Sequence, residues 1–191
     1  MGVIVYTDGA CRGNPGPGGS AAIIDDGKIK TELSRGYRWT TNNRMEIRSV
    51  IVALETIDAG VPVKLVSDSQ YVLNALSKGW IAGWKRKNWI STTREPVKNR
   101  DLWERLDALV AQHPMTFEWV RGHASHPLNN RCDEIAVAAA LGNALAVDTE
   151  YEAGNSFPAS ASPVMATNSV PVTRPQVIPA GVSQAEFPGF V

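Results

Sequence analysis

Four acidic residues, Asp8, Glu46, Asp68 and Asp133, stand in four separate settings along the chain, each where a fold can carry it to one edge of a sheet. Carboxylates gathered at one point repel each other and raise each other's pKa. A hard divalent cation relieves that repulsion, and an all-oxygen ligand set selects Mg²⁺, with Mn²⁺ as a substitute, over Zn²⁺. Two such ions about 3.5 to 4 Å apart polarise a phosphodiester, make a water nucleophilic and hold the leaving oxygen. The four acids therefore predict a metal centre for phosphoryl chemistry, provided that the elements between them fold to one place.

Asp8 closes the apolar run Val3 to Thr7 and opens a glycine-rich stretch, and Asp68 closes a second run, Val63 to Ser67. Between them Ile47, Val50, Ile51, Leu54 and Ile57 recur at helical spacing, with Asn42 or Asn43 as the expected cap and Gly60 and Pro62 as the stop. Strand, helix and strand make a right-handed crossover, so the two strands lie parallel and their carboxyl ends share the edge where ligands collect. Glu46 falls at the margin of the buried helical stripe and leans over that edge. Ala21 to Ile24 and Ile29 to Trp39 read as a hairpin around Asp26-Gly27. Ser69 to Leu76 and the leucine pattern from Leu102 to Val110 read as helices, and Met115 to Val120 as a strand. A last helix, from Asn130 to about Leu145, carries Asp133, and its run Ala136 to Ala140 would let it approach the sheet closely. The whole is an α/β fold with a mixed sheet flanked by helices.

The 191 residues allow one domain of about 150 residues and an appendage. Apolar residues make up 43% and charged residues 20%, ordinary for a globular protein. The net charge is zero, yet Lys78 to Arg100 holds seven basic residues against Glu95 alone, a local field suited to a polyanion. Cys11 and Cys132 have neither the number nor the spacing of a disulfide framework or a zinc site, and read as reduced thiols of a cytoplasmic protein. No stretch approaches the roughly 20 apolar residues of a membrane span, and no membrane partner is expected. From about Thr149 the composition shifts: residues 149–191 hold half of the prolines and only four charges, Glu150, Glu152, Arg174 and Glu186. The expected division is a domain over 1–148 and a Pro/Ala/Ser/Val-rich, disordered tail over 149–191. The end of that tail, Phe187-Pro188-Gly189-Phe190, is a candidate tether for a protein partner.

Seven motifs in order point to a family: Tyr6-Thr7-Asp8-Gly9, Gly13 to Gly19, Thr40 to Glu46, Ser67 to Tyr71, the Trp- and Lys-rich segment Trp80 to Trp89, Gly122-His123-Ala124, and Asn130 to Glu134. Over about residues 2 to 145 the chain resembles type 1 ribonuclease H of the bacterial kind. The resemblance implies the ribonuclease H-like fold with a five-stranded mixed sheet. It implies an endonuclease that cuts the RNA strand of an RNA-DNA hybrid with two Mg²⁺ ions, leaving 5'-phosphate and 3'-hydroxyl ends. Asp8, Glu46, Asp68 and Asp133 would be both metal ligands and catalytic residues, and His123 a mobile auxiliary base able to relay a proton near neutral pH.

The same resemblance assigns the substrate contacts. Asn14, Asn42, Asn43 and Gln70, with Cys11 nearby, would read the 2'-hydroxyl in the shallow minor groove, the one handle that marks RNA. Thr41 and Arg44 would hold a phosphate of the DNA strand. Trp80 and Trp84 would lie against the DNA backbone, with Lys85, Arg86 and Lys87 on its phosphates, contacts that carry no sequence information. For the tryptophans, packing of the segment onto the body is an equal reading. Two other functions keep the fold: a DNA nuclease or resolvase, and a module that binds hybrids without cutting them. A monomer is expected.

Overall fold

Strand order in the sheet explains how residues sixty positions apart become neighbours. The computed structural model describes residues 2–122, 126–155 and 176–179. β1 (Val3–Cys11), β2 (Gly16–Asp25) and β3 (Ile29–Thr40) form an antiparallel meander. α1 (Asn42–Leu54) crosses to β4 (Val63–Ser67), which pairs parallel with the other side of β1. After α2 (Gln70–Ser77), α3 (Trp80–Arg86) and α4 (Arg100–Val110) comes β5 (Met115–Trp119), parallel to β4, and then α5 (Pro127–Ala140). The order β5-β4-β1-β2-β3 is the expected five-stranded mixed sheet, and β6 (Gln176–Pro179) adds to the outer edge of β3.

Alternation along the strands divides the core in two. Val5 and Leu65 face Ile47, Val50 and Ile51 of α1 and Trp103 and Leu106 of α4. Tyr6, Ile23 and Val66 face α5, where Cys132 is buried among them. α5 does come close to the sheet: a Cβ on Gly19 or Gly36 would overlap the backbone oxygen of Ala136 or Ala139. Among the described residues no helix is long and apolar enough to cross a membrane.

Three boundaries differ from expectation. β1 runs past Asp8 to Cys11, because Gly9, Ala10 and Cys11 keep pairing with β2 after the β4 ladder has ended at Thr7 and Ser67. α5 begins at Pro127, whose missing N–H costs nothing in the first turn, and ends at Ala140 because the chain turns back to bond β3, with Arg38 N donating to Ala146 O and Ala146 N to Gly36 O, both at 2.9 Å. Residues 149–154 form α6 (Thr149–Gly154), inside the segment expected to lack structure. Charge pairing holds α6 there: Glu152 takes a two-pronged bond from Arg38, at 3.0 and 2.6 Å, and Asp148 is fully buried just before it. A composition window cannot register such pairs. The tail's end at Phe187 to Phe190 lies outside the described residues.

Candidate active site

The parallel ladder between β1 and β4 stops at Thr7 opposite Ser67, so Asp8 and Asp68 each follow the last paired residue on adjacent strands. Strands so paired lie about 4.8 Å apart, which puts the two acids side by side. Period-two alternation sends Asp8 with Tyr6 toward α5, the helix of Asp133, and Gly9 with Val5 and Thr7 toward α1, the helix of Glu46. A Cβ on Gly9 would overlap the backbone at Met45 and Glu46. The bare α-carbon thus lets the first turn of α1 sit directly on β1. The four carboxylates wrap the sheet edge from both faces and line one polar cleft of about 230 Å³, together with Gly9, Asn42, Asn129 and Asn130.

The electrostatics show that these acids feel one another. Burial first, then the Asp68 carboxylate and more weakly Asp133 and Glu46, push Asp8 up to about 7, against the lowering effect of a hydrogen bond from Gly9 N at 2.7 Å. Glu46 is also raised, by burial and by Asp68, although two neutral donors oppose this. Ser69 Oγ donates to Glu46 Oε2 at 2.7 Å, and Asn42 Nδ2 to Glu46 Oε1 at 2.9 Å. Asn42 is therefore not the cap of α1. Thr41 holds that position without a side-chain bond, and the Asn42 amide reaches one turn forward to Glu46.

Among the described residues no group of three His, Cys, Asp or Glu side chains is closed into a ready-made ion cage. The carboxylates share a cleft and a field, with Glu46 held by its neutral donors and Asp8 by Gly9. Their donor chemistry fits a hard divalent cation, since every ligand is oxygen and the anions are mutually destabilised. One more oxygen points the same way: Asn129, buried beside the acids, has no partner for Oδ1 among the described residues.

The other expected site residues separate into groups. Asn14, Thr41, Asn43 and Arg44 line a neighbouring pocket of about 540 Å³, whose walls also include Lys98, Asn99 and Tyr151. Asn14 Oδ1 accepts from Asn42 N at 3.3 Å, and the Cys11 thiol lies 3.5 Å from Thr40 O. Gln70 is exposed at the start of α2, next to the cleft rather than in it. Arg86 and Lys87 are exposed, while Lys85 is paired with Asp107 at 2.6 Å. Trp84 packs between Trp80, Trp89 and Trp103, with ring centroids 6.2, 6.4 and 5.6 Å away, and Trp80 is the most exposed of the four, at 38%. His123 lies outside the described residues.

Arg44 departs from its expected role. It is 2% exposed, and all five of its N–H groups are committed: Nε and one Nη2 hydrogen to Asp148, the other Nη2 hydrogen and one on Nη1 to Asp101, and the last to Asn99. A phosphate could reach it only by displacing one of those acceptors, so Arg44 anchors the pocket from below. Lys98, exposed at the same pocket and with no ion pair among the described residues, is the available cation there. Sequence reading also missed Gly9, Ser69, Asn129 and Asn130. Ser69 carries a signal, since it precedes a helix and its Oγ accepts from Val72 N at 3.3 Å, but its bond to Glu46 is purely tertiary.

A family model described as RNase H matches residues 1–141. The Ribonuclease H of Aeromonas hydrophila is 52% identical over 148 residues, covering 78% of this chain and 96% of that protein. The Ribonuclease H of Nitratidesulfovibrio vulgaris strain DP4 is 53% identical over 151 residues, covering 79% and 97%. Among solved structures, LC9-RNase H1, a type 1 RNase H with the type 2 active-site motif, superposes with a TM-score of 0.67 at 29% identity, covering 98% of this chain and 97% of that one. LC11-RNase H1, solved in complex with RNA/DNA hybrid, gives a TM-score of 0.55 at 25% identity, covering 72% and 95%.

Proposed function

Because this chain belongs to the ribonuclease H family and is accordingly a hydrolytic endonuclease, we propose that it hydrolyses the RNA strand of RNA-DNA hybrids at the cleft where Asp8, Glu46, Asp68 and Asp133 meet. One observation carries the assignment of the site: the four acids, brought from two strand ends and two helices, line a single polar cleft, where their mutual repulsion is a cost that bound cations remove. The family needs a divalent metal, and two Mg²⁺ ions are the proposed occupants. When bound they supply Lewis-acid stabilisation of phosphate charge and lower the pKa of a bound water.

The protein's own part is to gather and orient. Asp8 and Asp68 hold their places through the strand ends, Asp133 through α5, and Glu46 through Ser69 and Asn42. Asn42 thereby links the acid cluster to the face proposed to read the 2'-hydroxyl, with Asn14, Asn43, Gln70 and Cys11 around it. Thr41 and Lys98 are the proposed phosphate contacts of the neighbouring pocket, and Trp80, Arg86 and Lys87 those of the basic protrusion, where the Lys85 pair would exchange Asp107 for phosphate. His123 is proposed to take or return a proton at the attacking water or leaving oxygen. Backbone contacts of this kind make cleavage largely indifferent to sequence.

Labelled RNA-DNA hybrid, double-stranded RNA and double-stranded DNA, each with Mg²⁺, Mn²⁺ or EDTA, test this reading. Cleavage of the hybrid's RNA strand alone, to 5'-phosphate ends and only with a metal, is expected. Cleavage of duplex DNA would instead make it a DNA nuclease, and tight hybrid binding without products would make it a binding module. Gly9→Ala tests the architecture: pushing α1 off β1 by even 1 Å should lower kcat about 100-fold while the circular dichroism spectrum stays native. Wild-type kcat in that variant would show that Glu46 needs no such placement.

A further inference from the structure

Gln70, Asn74 and Lys78 recur every fourth residue from the start of α2 to its C-cap, so they form one polar stripe on that helix. The stripe is about 12 Å long at 1.5 Å per residue. Beside it the edge strand β5 presents Trp119, 50% exposed, the most exposed tryptophan among the described residues. The ring is not free to swing, since its Nε1 donates to the backbone oxygen of Asp68 at 3.1 Å. Stripe and indole enclose an open groove of about 420 Å³, floored by Leu73 and Phe117. Lys78 is exposed and has no ion pair among the described residues.

We infer that this groove is a subsite for the RNA strand of the hybrid, flanking the scissile phosphate. The inference rests on the function proposed above. Three features select the occupant. The groove adjoins the cleft, because its Trp119 is bonded to the backbone of Asp68 and its Gln70 lies two residues further along the chain. A half-exposed aromatic face beside a cation is the pairing that holds single nucleic-acid strands, with the sugar or base on the ring and a phosphate on the ammonium. The amides of Gln70 and Asn74 can both donate to and accept from a 2'-hydroxyl, a group only the RNA strand offers. Trp119 is therefore a substrate-binding residue in its own right, distinct from the basic protrusion of α3, which carries the DNA strand in the reading above.

The test uses steady-state cleavage of a hybrid in Mg²⁺ by the full chain and by Trp119→Ala, Trp119→Phe and Lys78→Gln. Trp119→Ala should raise KM about tenfold, whereas Trp119→Phe, which keeps a ring but loses the bond to Asp68, should stay near the wild-type KM. Lys78→Gln should raise KM and lower the slope of log KM against log salt by about one. Two further hybrids with a full DNA strand, but with RNA ending close to the scissile phosphate on its 5' or its 3' side, locate the contact: the Trp119→Ala defect should vanish with one of them. Unchanged KM in Trp119→Ala and Lys78→Gln overturns the subsite while leaving the nuclease reading intact, and so does a defect that persists with both trimmed hybrids. Failure of the wild-type chain to cut any hybrid removes the nuclease reading, and the subsite with it.

Discussion

Asp8→Asn should stop cleavage and yet make the metal-free protein more stable. Activity should fall, by at least about 1,000-fold, because Asp8 is a proposed ligand to ions that stabilise phosphate charge. Stability rises because the carboxylate is held at a cost. Its pKa is about 7 in the fold, against about 3.9 in an unfolded chain. A group raised in this way contributes stability that is fully present below its unfolded value and lost as pH climbs through its folded one. In EDTA the wild-type protein should therefore weaken between pH 5 and pH 8, and Asp8→Asn should be about 2 kcal/mol more stable than wild type at pH 8. Mg²⁺ acts in the opposite sense: it competes with the proton, so its stabilisation of the wild type should be larger at pH 8 than at pH 5. Urea unfolding at both pH values, with and without Mg²⁺, measures all of this. An Asp8→Asn protein that is equally stable or weaker at pH 8 in EDTA would mean that the acids are not crowded at the sheet edge.

The second large effect lies outside the cleft, at Asp148. Its side chain is fully buried, and its two oxygens take bonds from Arg44 at 2.7 and 2.8 Å, from Arg48 at 2.6 Å and from Thr40 Oγ1 at 2.7 Å. Burial alone would raise this carboxyl, but the bonds from Arg44 and the charge of Arg48 outweigh it and hold Asp148 below the usual range. Removing one member of such a group leaves buried guanidinium charge uncompensated, and Asp148→Asn should cost about 3 to 5 kcal/mol. For a chain of this size that is a fall in Tm of about 10 °C. Because the folded pKa is depressed, the stabilisation is present above the unfolded value near 3.9 and disappears as pH drops through the folded one. The gap between wild type and Asp148→Asn should hold from pH 8 to pH 5 and close only in acid. A chain ended after residue 147 should lose as much stability as the substitution, and one ended after residue 155 should keep it. Equal melting of all four proteins at pH 7 would show that the ion group contributes nothing net.

Asp148 also marks where composition misleads. The low charge and high proline of 149–191 averaged away the few residues, Glu152 and the turn of α6, that pair with β3. Arg44 misled in another way. Its position between Asn43 and Glu46 suggested a phosphate contact, but whether an arginine meets substrate or core depends on which acids fold against it, and Asp101 and Asp148 arrive from 57 and 104 residues away. Trp84 was ambiguous for the same reason, until Trp103 of α4 supplied the surface that it packs on.

Local patterns along the chain single out the four acids and the elements that carry them. An acid after an apolar run and an acid at the margin of a helical stripe are local patterns, and the right-handed crossover between parallel strands leaves one way to bring their ends together. How those acids are held and charged follows from contacts between elements. The contact of Gly9 with α1, the bond from Ser69 to Glu46, the lifted pKa of Asp8 and the indole bonded to Asp68 O depend on how closely elements distant in the chain approach one another. Hydrogen bonds and desolvation vary steeply with that approach, whereas periodicity and spacing fix positions only to within a turn or a strand.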